Sequence, residues 1–198
     1  MIAFVRGTLF EKKPMTAWID VQGVGYEVMI TLGTYDRLPA VGQPCLLHTC
    51  HIIREDAHLL FGFHDPDEKS TFELLITVNG VGPKVALAIL NGLPVADLRA
   101  AIAEGNVKRL STVHGVGKKT AERLVVELRD KIDPAEAFAA QILAHPGGDS
   151  AVLRDTVLAL TQLGFAHDQA RKKVKTALDA GADPSNTEAL LKKALAGR

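Results

Sequence analysis

Two stretches of this chain have residue types and spacing suited to holding phosphate. Val78-Asn79-Gly80-Val81-Gly82-Pro83-Lys84-Val85-Ala86 recurs as Val113-His114-Gly115-Val116-Gly117-Lys118-Lys119-Thr120-Ala121, with the glycine pairs 35 residues apart. Glycine on both sides of one apolar residue lets the chain turn tightly and present bare backbone N–H groups. Each copy opens an apolar-periodic helical stretch. The first N–H groups of such a helix lack intrahelical partners and lie at the positive end of its dipole, which suits an anion. Two such turns, each followed by lysine, can grip the backbone of a DNA duplex without reading a base.

Neither copy is a nucleotide loop. A Walker A sequence requires glycine where Thr112 stands and Ser or Thr where Lys119 stands. The dinucleotide fingerprint requires a third glycine where Val85 and Thr120 stand. No cofactor is therefore expected. The second notable spot is Arg54-Glu55-Asp56-Ala57, which puts two adjacent carboxylates at a hairpin tip. Aspartate favours turns for its own sake, but beside DNA such a pair repels phosphate, and several tips converging on one point would add their effects.

The 198-residue chain carries no net formal charge, yet its charge is unevenly placed. Residues 71–132, which hold both repeats, have 9 Lys+Arg against 6 Asp+Glu, and residues 151–198 have 8 against 5. Residues 1–63 have 5 against 6, and residues 133–150 are acidic. A neutral whole is compatible with a basic face. Hydrophobic content of 47% and charged content of 23% fit a globular fold. No apolar run approaches the ~18 residues of a membrane span, and no secretory signal is recognisable, so the cytoplasm is the expected compartment. Cys45 and Cys50 are too few for a disulfide framework or a zinc site, and their odd spacing puts them on opposite faces of one strand. The seven histidines lack metal-ligand spacing, and no catalytic or metal-binding set is predicted.

These turns need elements to hold them. The first 63 residues read as five short strands: Ile2–Phe10, Met15–Val21, Tyr26–Ile30, Cys45–Ile53 and Ala57–Phe63, which suggests a small barrel such as an OB-fold. After Asp65-Pro66 the period becomes helical. Helices are predicted over Thr71–Val78, Pro83–Leu90, Asp97–Glu104, Val107–Thr112 and Lys118–Lys131, with Asp97 as an N-cap. His145-Pro146-Gly147-Gly148-Asp149-Ser150 reads as a linker. Three further helices follow, at Ala151–Leu163, Asp168–Ala180 and Asn186–Ala196, with Asp168 and Asn186 or Ser185 as caps. The expected division is a barrel over 1–64, a DNA-binding region over 65–142, a flexible linker over 143–150 and a three-helix module over 151–198.

The repeated pattern resembles the helix-hairpin-helix motif of non-sequence-specific DNA-binding proteins. In that light Asn79, Gly80, Val81, Gly82, Gly115, Val116 and Gly117 form the two turns, and Lys84, Lys118, Lys119 and Arg123 supply charge. Lys118 and Arg123 do not share one strict helical stripe. At longer range, Thr49-Cys50-His51-Ile52-Ile53-Arg54-Glu55-Asp56-Ala57, Phe61-Gly62-Phe63 and both repeats resemble the RuvA family of Holliday-junction-binding proteins. His114 stands where that family is expected to carry proline. The resemblance implies an OB-fold barrel, a tandem helix-hairpin-helix domain and a three-helix UBA-like module. It further implies a four-way DNA junction as ligand, a homotetramer that a second tetramer can join as an octamer, and a non-catalytic role in recombination and repair. Glu55 and Asp56 would form an acidic pin at the crossover. Leu163, Gly164 and Phe165 would contact the RuvB ATPase, with the RuvC resolvase as a further partner and no membrane involved. The rival class is an enzyme, a helix-hairpin-helix glycosylase or structure-specific nuclease. It would have to recruit Asp97 or Asp133 as a catalytic carboxylate, or Glu55 and Asp56 as metal ligands.

Overall fold

A computed structural model describes residues 1–134, 137, 148–165, 167–179, 181–183 and 186–196. It divides into two compact units, Met1–Ile132 and Asp133–Arg198.

The first unit begins with five strands: β1 (Phe4–Lys13), β2 (Thr16–Val21), β3 (Val24–Ile30), β4 (Pro44–Ile53) and β5 (His58–Phe63). Alternation of apolar residues builds its interior, where Val5, Leu9, Ala17, Ile19, Val28, Ile30, Leu47 and Leu60 form the core. The first half of β1 pairs with β4 and the second half with β2, and the register shifts between Leu9 and Glu11. Such a bulge bends one long strand so that it can serve two neighbours. A short parallel pairing of β3 with β5, Met29 opposite Phe61 and Ile30 opposite Gly62, closes the barrel in the order β1-β2-β3-β5-β4. Gly62 is required there by close approach, because a Cβ on it would come within 2.4 Å of Val28 Cγ1. Cys45 faces the barrel core. Cys50 is also buried, and burial pushes both thiols above the ordinary cysteine range, with Glu73 adding to the rise at Cys50 and Lys69 opposing it.

Sequence periodicity gave no sign of α1 (Leu32–Arg37), which joins β3 to β4. Thr31 caps it by accepting from Thr34 N at 3.0 Å. Lys12 Nζ donates to the carbonyls of Tyr35 and Leu38 at its other end, at 3.3 and 3.0 Å. The helix is short and polar, so its partners hold it rather than its own propensity. Two of those partners come from the helical region that follows. Glu68 accepts from the hydroxyls of Thr31 (2.6 Å) and Thr34 (3.0 Å), and Asn91 Oδ1 accepts from Leu32 N at 2.8 Å.

The helical region comprises α2 (Pro66–Leu75), α3 (Pro83–Gly92), α4 (Val95–Ala103), α5 (Val107–Leu110) and α6 (Lys118–Leu128), followed by a 3-10 turn over Arg129–Lys131. Helix α2 starts at Pro66, well before the predicted Thr71. Proline at the first helical position, with Asp67 and Glu68 in the first turn, is the start signal that apolar periodicity overlooks. Phe72 on α2 lies 5.0 Å from the rings of both Phe61 and Phe63, so the outer face of β5 anchors the helices. Burying one such ring contributes about 1.5–3 kcal/mol. Asp97 is not the N-cap of α4: Pro94 occupies that position, and Asp97 lies buried in the first turn with Arg109 Nη2 at 3.0 Å. The pair ties α4 to α5.

In the second unit α7 (Gly148–Gln162), α8 (His167–Asp179) and α9 (Thr187–Ala196) surround Val157, Leu160, Ala170, Val174, Ala177, Leu190 and Ala194. Asn186 caps α9, accepting from Ala189 N at 3.1 Å. Asp168 is the second residue of α8, not its cap, and Ser185 lies outside the described residues. Of the predicted linker, residues 143–147 lie outside the described residues, while 148–150 open α7. Among the described residues no single helix is long and apolar enough to cross a membrane.

Candidate nucleic-acid interface

The two repeats fold into the same hydrogen-bonded object. In the first, α2 ends as Thr77 N and Thr77 Oγ1 both donate to Leu74 O, at 3.2 and 2.7 Å. In the second, Thr112 N and Oγ1 donate to Arg109 O at the same two distances. Val78 N donates to Leu75 O, and Val113 N to Leu110 O. Then Val81 N bonds Val78 O at 3.0 Å, as Val116 N bonds Val113 O at 3.0 Å. Between those two valines the chain passes through the left-handed region, with Gly80 at φ +86° and Gly115 at φ +83°. Only glycine adopts that conformation without strain. Gly82 and Gly117 are the extended N-caps of α3 and α6, and the first helical bonds are Ala86 N to Gly82 O and Ala121 N to Gly117 O, both 2.9 Å.

Burial follows the same repeat. Val78, Val81 and Ala86 are buried, and so are Val113, Val116 and Ala121. Each turn therefore inserts its valines into the core and leaves its glycines outside. Val81 and Val116 thus differ from the other turn residues. Their side chains are covered and their N–H groups are engaged inside the turn, so they shape the loop and contribute no donor to a ligand. What faces outward is Asn79, Gly80, Gly82 and Lys84 in one hairpin and Gly115, Gly117, Lys118 and Lys119 in the other. The N–H groups of Lys84, Val85, Lys118, Lys119 and Thr120 precede the first helix-bonded amide of their helices. Pro83 has no N–H to lose at this position. The helix dipoles point their positive ends at the same surface. Lys118 lies 3.9 Å from Glu122, but both are exposed, and such a pair yields readily to a stronger anion.

Arg123 is exposed on α6, yet its Nη1 donates to Asn79 O of the first hairpin at 3.3 Å. Glu55 and Asp56 are exposed at the β4–β5 turn, which Arg54 N closes by donating to Ala57 O at 2.8 Å. The strands below them carry His51 and His58, with ring centroids 5.4 Å apart. In the second unit Gly164 turns the chain at φ +93°, Leu163 is 60% exposed, and Phe165 packs partly into that unit's core beneath Lys173 Nζ, 5.3 Å from its ring. Of that predicted trio, Leu163 is the side chain most available to a partner.

A closed five-stranded barrel joined to two tandem helix-hairpin-helix turns, with a further three-helix unit, is the architecture of a class of DNA-binding protein. Residues 1–62 match the RuvA N terminal domain, residues 72–130 the SAM-like helix-hairpin-helix tandem, and residues 151–197 the RuvA C-terminal domain. The chain belongs to the RuvA family. A relative from Syntrophotalea carbinolica, named Holliday junction branch migration complex subunit RuvA, is 47% identical over 197 residues, covering 98% of each chain. Proteins of the same name from Stutzerimonas stutzeri and Pseudomonas aeruginosa are 43% and 44% identical over 202 residues, covering 100% of this chain and 99% of theirs.

Proposed function

We propose that this chain is the junction-binding subunit of a branch-migration complex: it binds four-way DNA junctions without sequence preference, holds them open and recruits a RuvB-type ATPase. The observation that carries this is the duplicated hairpin, two copies of one turn that present free amides and lysines from the starts of α3 and α6. Each neutralised phosphate contributes a slope of about −0.9 to log K against log salt, so about four contacts make binding strongly salt-dependent.

In this proposal residues 1–64 form the barrel that carries the pin, 65–142 the DNA-binding domain, 143–147 a linker and, with the three residues that open α7 added to the expected 151–198, residues 148–198 the motor-binding module. Asn79, Gly80, Gly82 and Lys84 hold one stretch of backbone and Gly115, Gly117, Lys118 and Lys119 another. Glu55 and Asp56 stand where the strands part, and their charge steers phosphates away from the centre. A four-fold assembly suits a four-armed ligand, and four copies bring eight carboxylates to the crossover. The polar joint of Thr31, Thr34, Glu68 and Asn91 supports a fixed relation between pin and hairpins within one subunit. Leu163, Gly164 and Phe165 offer the contact to the motor. The chain supplies geometry while its partner hydrolyses ATP, and the cytoplasm, where the chromosome lies, is its compartment. The enzyme reading finds little support at Asp97, one of the two carboxylates a glycosylase could recruit, which is buried and paired with Arg109.

The deciding experiment is a gel-shift titration of a four-way junction against a linear duplex of matched arm sequence, at two salt concentrations without metal. A junction preference that weakens with salt, without cleavage, is the expected result. Equal affinity for both DNAs would reduce the protein to a general hairpin binder, and cleavage on adding Mg²⁺ would return the enzyme class.

A further inference from the structure

The two hairpins carry unequal charge of their own. The first helical position is Pro83 in one and Lys118 in the other, so α3 opens with one lysine and α6 with two. Arg123 stands one helical turn beyond Lys119 on α6, and chain spacing alone assigns it to the second hairpin. Its side chain goes elsewhere. The guanidinium bonds the Asn79 carbonyl, and its Nη1 stands 3.4 Å from where a Cβ on Gly80 would be.

We propose that Arg123 acts at the first hairpin: one guanidinium N–H fixes the Asn79 carbonyl, and the others reach the phosphate held by Gly80, Gly82 and Lys84. The inference rests on the DNA-binding role proposed for the hairpins. A guanidinium has five N–H donors in a fixed fork, so engaging one leaves the rest for an anion. Arg123 thereby supplies the cation that Pro83 cannot, and each hairpin then has two. It also makes the first turn dependent on the second hairpin's helix, so the two grip as one unit.

Double-mutant cycles on the full chain test this, read by fluorescence anisotropy with a linear duplex across a salt series. Arg123→Ala should weaken binding about tenfold, as loss of a charge-assisted phosphate bond does. It should also flatten the log–log salt slope by about 0.9. Combined with Lys84→Ala its effect should fall well short of the product of the two. Combined with Lys119→Ala the effects should multiply to within about twofold, as for independent sites. Pro83→Lys in the Arg123→Ala background should recover much of the lost affinity. Coupling to Lys119→Ala with independence from Lys84→Ala would return Arg123 to the second hairpin and overturn the inference. So would an Arg123→Ala protein with wild-type affinity and slope while both lysine variants are impaired, a result that leaves the hairpin proposal standing. If none of the three substitutions changes binding, the hairpin proposal falls, and this one with it.

Discussion

The hairpin turns and the acidic turn are both exposed loops of the same unit, yet they are built on opposite terms. Each hairpin is defined by its backbone: a left-handed glycine, one valine bonded back to the preceding helix and a second bonded to the first, and an extended glycine that starts the next helix. Its donors are amides, so the site exists only while that path is kept. The acidic turn is closed by the Arg54 N to Ala57 O bond, and in the proposed role all it offers DNA is the charge on Glu55 and Asp56. An amide site constrains which residues permit the backbone, whereas a charge site constrains only which residues are displayed. Substitutions in the two loops should therefore fail in different ways.

The largest effect is expected from reversing charge at both hairpins. Lys84→Glu with Lys118→Glu removes two attractions and adds two repulsions beside phosphate, and affinity should fall on the order of 100-fold. Both residues are exposed, so the melting temperature should hardly move. Anisotropy titrations on several unrelated duplexes check the point. Losses that differ widely between sequences would mean that bases are read, and the backbone half of the comparison would break.

A subtler substitution isolates the backbone itself. A Cβ on Gly115 would meet no atom within 4 Å, so Gly115→Ala imposes only the conformational cost of φ +83°. That cost is about 1–2 kcal/mol. Stability should fall by that amount, and affinity by about tenfold if the turn relaxes toward an ordinary conformation. Denaturant melts and the same titration separate the two. Unchanged DNA affinity in a destabilised protein would show that the left-handed turn supports the fold and not the grip.

How far each loop was legible in sequence follows the same division. The hairpins were readable because the backbone path demands particular residues: glycine at 80, 82, 115 and 117, and buried valines at fixed offsets between them. The barrel was readable because Val28, Ile30, Leu47 and their neighbours alternate with the pleat. What stayed hidden were the features that a distant partner decides. Nothing within Leu32–Arg37 announces a helix, since Glu68, Asn91 and Lys12 hold it from elsewhere in the chain. Asp97 looked like a cap because its pairing with Arg109 is not visible in either local segment. The bond of Arg123 to Asn79 was hidden for the same reason: helix spacing is local, and that bond spans 44 residues. Local rules recover what the backbone requires and miss what side chains find across space.

The smallest expected effect lies at the acidic turn, and it sharpens the comparison most. Glu55→Gln with Asp56→Asn keeps shape and removes charge, so the turn should close as before and the melt should be unchanged. On a linear duplex each lost repulsion at about 7 Å in water is worth roughly threefold, so removing both charges should tighten binding by no more than about eightfold. On a four-way junction the same change acts where strands part, and there preference for the junction and the rate of branch migration should shift. The hairpin variants should lower both affinities together, whereas this one should alter their ratio. The measurement is the ratio of junction to duplex dissociation constants in wild type and double variant at one salt concentration. An unaltered ratio would make Glu55 and Asp56 an ordinary polar turn, and the charge half of the comparison would be lost.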